Sequence, residues 1–249
     1  MFTDTHCHLY KEYYKNISLL VKKCVDNKIP RFINNGTDMK SNREVLNYVF
    51  TYEGMYGAIG IHPESVEDYS DKDIDFIREH INDEKVVAIG EIGLDYHWVS
   101  DNKDKQIELF EKQLVLAEEF NKPVIIHSRD ATEDTINILK KHHVRGVIHS
   151  FSGSYETAMI YINMGFLLGL NGVITYKNCK LKDVVLQLGL ENFVLETDSP
   201  YLTPVPFRGE SNDPSHIIDI AKFICELKGI SLEELSEITE SNVKRVFDI

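Results

Sequence analysis

His6 and His8 stand two residues apart in Thr3-Asp4-Thr5-His6-Cys7-His8. In an extended strand that spacing points both imidazoles to one face and Cys7 to the other. Two imidazoles on one face can reach a single metal ion, although an isolated His-x-His is a weak signal that unrelated polar residues at a strand end also produce. Four further residues strengthen it. Glu91, His127, His149 and Asp198 each follow a short apolar run of their own. Imidazoles and carboxylates are donors that divalent ions take, and ions held this way activate water for hydrolysis. The chain has ten histidines, so four of them at such positions fit chance placement poorly. Cys7 would suit zinc as a soft thiolate, but its place on the opposite face reads as a small core residue.

Groups so far apart in sequence need strands to bring them together. Apolar, β-rich runs predict strands at Phe2 to Thr5, Arg31 to Asn34, Tyr56 to Ile59, Val86 to Ile89, Val124 to Ile126, Gly146 to Ile148, Phe166 to Leu168 and Phe193 to Leu195. Amphipathic stretches lie between them, as where Ile107, Phe110, Leu114 and Ala117 recur at helical spacing. Eight strands alternating with helices predict an α/β fold, a (β/α)8 TIM barrel in a single domain over residues 1–249, while a doubly wound open sheet shares the same rhythm. In a barrel, Glu91, His127, His149 and Asp198 fall at the carboxyl ends of strands four, five, six and eight, where barrel enzymes carry their catalytic groups. Residues 200–214, with Pro200, Pro204, Pro206 and Pro214, read as a long loop after the eighth strand. Ser231-Leu232-Glu233-Glu234 opens a capped terminal helix.

A chain of 249 residues that is 43% hydrophobic can bury one large core. Its formal charge of −13, with no basic stripe, argues against binding nucleic acid by broad displacement of counterions. Any hold on phosphate must then come from local positive charge, for which bound divalent ions are the obvious source. The acidic stretches from Asp71 to Asp75 and from Glu233 to Glu240 read as solvated helix faces. Cys7, Cys24, Cys179 and Cys225 lack Cys-x-x-Cys spacing, which argues against a disulfide framework or a structural zinc site. No basic, apolar leader or bilayer-length apolar run is visible, so a cytoplasmic location without membrane association is expected.

The strings Thr3-Asp4-Thr5-His6-Cys7-His8, Gly60-Ile61-His62-Pro63, Gly90-Glu91-Ile92-Gly93-Leu94-Asp95, His127-Ser128-Arg129, His149-Ser150-Phe151-Ser152-Gly153 and Glu196-Thr197-Asp198-Ser199-Pro200-Tyr201, in this order, resemble the TatD-type metal-dependent deoxyribonucleases of the amidohydrolase superfamily. The family usually has Cys where Ser150 stands, at a position that is not a ligand. The resemblance implies two divalent metal ions per chain bridged by Glu91, one held by His6, His8 and Asp198 and the other by His127 and His149. A bridging carboxylate has two oxygens and offsets part of the repulsion between two dications. The family is usually described as magnesium-dependent, whereas imidazole-rich sites favour Zn, Mn or Fe over Mg, so the identity of the ions, Mg, Mn or Zn, stays open. The activity implied is hydrolysis of DNA phosphodiester bonds by a metal-activated water, with Asp198 orienting or deprotonating that water and DNA as the partner; no obligate protein partner is evident. The same centre could instead hydrolyse another ester or amide, D-aminoacyl-tRNA included.

Around this set, His62 is expected to act on the substrate as a protonated imidazole, by holding a phosphoryl oxygen or giving a proton to the leaving oxygen, and not to ligate metal. Arg129 and Arg208 are candidate phosphate contacts, and Arg208-Gly209-Glu210-Ser211-Asn212-Asp213-Pro214 resembles the family's Arg-Gly-x-x-Asn-x-Pro loop, which implies Asn212 as a candidate substrate-binding residue at the mouth. Asp95 reads equally as a support for a ligand histidine and as the cap of the following turn. Trp98 and Tyr201 near the rim read equally as stacking surfaces for bases and as packed aromatics.

Overall fold

The computed structural model describes residues 1–98 and 101–249. Its eight strands are β1 (Thr3–Cys7), β2 (Arg31–Asn35), β3 (Met55–Ile59), β4 (Val86–Asp95), β5 (Val124–Arg129), β6 (Gly146–Ile148), β7 (Phe166–Leu170) and β8 (Phe193–Leu195). All neighbouring pairs are parallel, in the order β1 to β8. Helices α1 (Ile17–Asp26), α2 (Met39–Thr51), α3 (Asp71–His80), α4 (Lys103–Phe120), α5 (Thr132–Leu139), α6 (Tyr155–Asn163), α7 (Leu181–Gln187) and α8 (Ile217–Lys228) fill the crossovers and the region after β8, and α9 (Leu232–Phe247) follows. This is the expected TIM barrel. Between β8 and β1 the ring closes through an isolated parallel bridge, Cys7 with Ser199, and through His8 N–H to Ser199 O (2.7 Å) and Asp198 N–H to His6 O (2.9 Å). No helix among the described residues is long and apolar enough to cross a membrane.

The alternation of side chains along each strand sorts the chain into layers. Inside the barrel, Ile33, Val87, Ile125, Val147, Leu167 and Val194 form one apolar layer, closed from below by Val243, Val246 and Phe247 of α9. Two residues further along, the same inward face carries polar groups: His127 above Ile125, His149 above Val147, and Glu196 then Asp198 above Val194. Asp4, His6 and His8 make the matching column from β1, while Cys7 points into the layer between sheet and helices. A greasy plug thus supports a polar storey that opens at the carboxyl ends of the strands.

Four expected strands, β1, β4, β5 and β7, run at least two residues further than the apolar runs suggested, and two of these extensions build the site. β1 continues through His6 and Cys7, and β4 continues six residues past Ile89 to Asp95. The extension of β4 depends on glycine: Gly93 has φ +142° and pairs with His127, and a Cβ there would lie 2.0 Å from the His127 carbonyl oxygen. With no side chain in the way, β4 and β5 run together far enough to set Glu91, Asp95 and His127 within one hydrogen-bonding network.

Candidate metal centre

Four side chains converge beside the closure between β1 and β8. His6 Nε2 lies 3.1 Å from His8 Nε2, 3.3 Å from Glu91 Oε2 and 3.7 Å from Asp198 Oδ1. His8 Nε2 is 3.5 Å from each of the same two oxygens. His8 is oriented from behind, since its Nδ1 is 3.1 Å from both Asn35 O and the Tyr10 hydroxyl, which itself donates to Asn35 O. With Nδ1 as the N–H, the lone pair of Nε2 faces the cluster. Two imidazole nitrogens and two anionic oxygens aimed at one point form a donor set that fits a divalent ion. Asp198 reaches it from a left-handed backbone conformation, φ +57°, which turns the chain sharply after β8.

The other oxygen of Glu91 faces a second group. Oε1 is 2.9 Å from His127 Nδ1, 3.7 Å from His62 Nε2 and 3.9 Å from His149 Nε2. Among the described residues, Glu91 is the one with an oxygen in each cluster. Asp95 fills both roles open to it in the sequence: Oδ2 lies 2.8 Å from His127 Nε2, and Oδ1 accepts the N–H groups of His97 (2.9 Å) and Trp98 (3.1 Å). His149 stands between the clusters, its Nε2 also 3.6 Å from Asp198 Oδ1, and its Nδ1 is 3.0 Å from Glu196 Oε1.

Protonation follows from burial set against neighbours. Burial opposes charge on His127, but hydrogen bonds to Asp95 and Glu91 outweigh it and lift the pKa to about 9. His149 is likewise disfavoured by burial and raised to about 10 by Glu196, Asp198 and Glu91. His6 goes the other way, lowered by burial and by His149. Burial would raise the Glu91 carboxyl, yet the ring of imidazoles around it holds it well below the usual carboxylate range.

His62 departs from expectation. Burial and the neighbouring His127 lower its pKa to about 3, so it is neutral and not the expected cation. Its Nδ1 accepts the Glu64 N–H at 3.2 Å, which leaves the ring hydrogen on Nε2, pointing to Glu91. In that tautomer His62 offers a hydrogen-bond donor to the cavity and no lone pair. Arg129 lines the cavity with these residues. Arg208 does not: it stacks on Tyr176, 4.4 Å from the ring centroid. Asn212 is fully buried, its amide donating to Thr197 O (3.0 Å) and Tyr201 O (2.6 Å), so it anchors the proline-rich loop and does not meet a substrate.

Sequence reasoning assigned no role to Glu196, Asp4 or Tyr10, all buried. Glu196 accepts the Ser150 N–H at 2.6 Å and faces His149; Asp4 accepts from His6 N, Thr197 N and the Thr197 hydroxyl, tying β1 to β8. For Glu196 and Asp4 the signal was strand alternation, because each lies two residues before a ligand candidate on the same inward face; Tyr10 follows His8 beyond the end of β1 and carried no such signal.

A family model described as "TatD related DNase" matches residues 3–248. The chain belongs to the TatD-related DNase family. It is 42% identical to the uncharacterized metal-dependent hydrolase YabD of Bacillus subtilis, with 100% of both chains covered, and 34% identical to the metal-dependent hydrolase YcfH of Escherichia coli, covering 99% of this chain and 95% of that one. The crystal structure of YjjV, a TatD homologue from Escherichia coli, superposes with a TM-score of 0.94 at 30% identity over 100% of this chain and 98% of the other. This TatD-family protein is accordingly a metal-dependent hydrolase.

Proposed function

We propose that the chain hydrolyses DNA phosphodiester bonds with two divalent ions, one in each cluster. The observation that carries this reading is the placement of Glu91, whose Oε2 faces His6 and His8 while Oε1 faces His127. Bound there, the ions would supply Lewis-acid charge to a phosphoryl group and lower the pKa of a water. The imidazole-rich donor set favours Mn or Zn over Mg, which prefers oxygen ligands and retained water.

The chain's own residues do the rest. Asp198, kept an ionised acceptor by His149 and His8 against the effect of burial, orients the attacking water or takes up the proton it loses. The Nε2–H of His62 donates a hydrogen bond to a phosphoryl or departing oxygen as negative charge grows there. Because His62 is neutral, it stabilises that charge without transferring a proton, and the departing oxygen recovers its proton from solvent at the open mouth. Arg129 lends a permanent cation to the phosphate. With a net charge of −13, affinity for a polyanion then depends on the centre far more than on the surface.

The test is a panel of labelled single-stranded DNA, double-stranded DNA, RNA and D-aminoacyl-tRNA, with Mg, Mn and Zn varied and with a chelator control. Cleavage of DNA that stops on chelation and returns with metal is expected. Hydrolysis of the aminoacyl ester with DNA left intact would overturn it.

A further inference from the structure

We propose that the mouth of the cavity holds two nucleobase subsites on opposite sides of the metal centre: an indole and guanidinium shelf made by Trp98 and Arg129, and a tyrosine shelf made by Tyr13 and Tyr201. This rests on the phosphodiesterase reading above and assigns what flanks the reacting phosphate.

Large rings left in water are ordinary when scattered singly, but these are neither single nor scattered. Trp98, the chain's one tryptophan, is 64% exposed, Tyr201 49% and Tyr13 38%, and all three line the same cavity of about 710 Å³ as His8, Glu91 and His127. Each ring is also held in place. The Trp98 backbone is fixed by Asp95, the Arg129 guanidinium carbon lies 5.2 Å from the indole centroid, and the His97 ring meets the indole at 4.7 Å and 90°. Across the mouth, the Tyr13 and Tyr201 hydroxyls are 2.8 Å apart, and their rings meet at 5.9 Å and 72°. Aromatic faces fixed at a polar, concave site are set to receive another π system.

Topology decides where they sit relative to the chemistry. Tyr13 follows β1 and Tyr201 follows β8, whereas Trp98 follows β4 and Arg129 ends β5. In a ring of eight strands in sequential order, the β1/β8 edge and the β4/β5 edge are diametrically opposed. The tyrosine shelf therefore stands on the side of His8 and Asp198, with Tyr201 6.3 Å from the His8 ring, and the indole shelf on the side of Asp95 and His127. A phosphate drawn to both clusters lies between the shelves, and its two nucleosides lead outward to opposite ones. The shelves differ in charge, since Arg129 is the only Lys or Arg among the described residues that line the cavity. A neighbouring phosphate is neutralised on that side alone. Bases can occupy both shelves only when they are unstacked from each other and unpaired, and stacking is indifferent to which base it receives.

The experiment uses the metal-loaded full chain on a short single-stranded oligodeoxynucleotide and on copies carrying an abasic tetrahydrofuran residue on the 5′ or the 3′ side of the scissile bond. Trp98→Ala and Tyr201→Ala should each raise KM on the intact strand by about 5- to 150-fold, with kcat much less affected. For wild type, an abasic residue on either side should raise KM by a similar factor. Each variant should be insensitive to an abasic residue on one side and fully sensitive to it on the other, the sides being opposite for the two variants. Tyr201→Phe, which keeps the ring, should restore most of the affinity. Equal KM values for intact and abasic strands in wild type, or abasic and variant penalties that multiply on both sides, would overturn the subsites. A wild type inert toward the intact strand with every metal would overturn the phosphodiesterase reading itself, a result distinct from either.

Discussion

Loading the centre with metal at neutral pH must expel protons, and the number expelled should differ between the two clusters. His127, with a pKa of about 9, and His149, at about 10, are both protonated in the metal-free chain at pH 7. A lone pair is needed to hold an ion, so each must lose its proton first. The gaps of two and three pH units correspond to about 2.7 and 4 kcal/mol of binding free energy. His6 is neutral already, which leaves His8 to release at most one proton at the other cluster. The apparent affinity of the His127 and His149 cluster should therefore rise about 100-fold per pH unit between pH 7 and 9, against about tenfold or less for the His6 and His8 cluster. Calorimetric titration of the metal-free protein with Mn or Zn, repeated in buffers of different ionisation enthalpy, counts the protons directly. His127→Ala isolates the first cluster. Asp95→Asn, which removes the anion 2.8 Å from His127 Nε2, should lower the release at the second. Fewer than one proton released there by wild type, or a flat affinity from pH 7 to 9, would refute the electrostatic reasoning. The same shifts act on folding. Both folded pKa values lie above the unfolded 6.5, so their stabilisation is complete below pH 6.5 and disappears as pH rises through 9 and 10 in the metal-free chain.

The remaining predictions are more local. Asp4 is raised by burial to about 8 despite its hydrogen bonds from Thr197 and His6, so metal-free stability should fall as pH rises from 4 to 8. Asp4→Asn should flatten that fall, on the order of 4 kcal/mol by pH 7, in denaturant titrations at several pH values. Glu91→Ala should weaken both metal clusters in elemental analysis, whereas His127→Ala should spare the one built on His6 and His8; equal loss at both in His127→Ala would contradict the assignment. His62→Ala should lower kcat by about 10²- to 10⁴-fold with metal content near wild type, and by similar factors on DNA and on bis(p-nitrophenyl) phosphate. A much smaller loss on the nitrophenyl ester would show that His62 transfers a proton after all.

Strand periodicity carried most of the architecture, because eight apolar runs with helical spacers leave few ways to bury both faces of a parallel sheet. The ligand candidates were legible for the same reason: His127, His149 and Asp198 extend the inward register of their strands past the apolar layer. The reach of β4 to Asp95 was not, since it depends on a contact between Gly93 and the His127 backbone that no local pattern encodes. Nor was the charge of His62, which is set by burial and by His127, a residue 65 positions away in sequence. Asn212 and Arg208 were read as polar loop residues free to meet substrate, but one is consumed by two backbone carbonyls and the other by a tyrosine face.

The closure between β1 and β8 has a consequence for how the chain holds itself together. Seven neighbouring pairs are joined by ladders, yet the eighth junction has one bridge, two backbone hydrogen bonds, the Thr5 hydroxyl donating to Leu195 O and the Asp4 contacts to Thr197. An ion shared by His6, His8 and Asp198 would pin together residues separated by most of the chain, as a cross-link whose loop is about as long as the protein allows. The entropy of closing such a loop grows only slowly with its length, so one coordination sphere can replace a missing ladder. Chelation would then do more than silence the enzyme. It would release a fastener between the first and last strands that a cell could remove and restore without breaking a covalent bond, and amide exchange should quicken first along that junction.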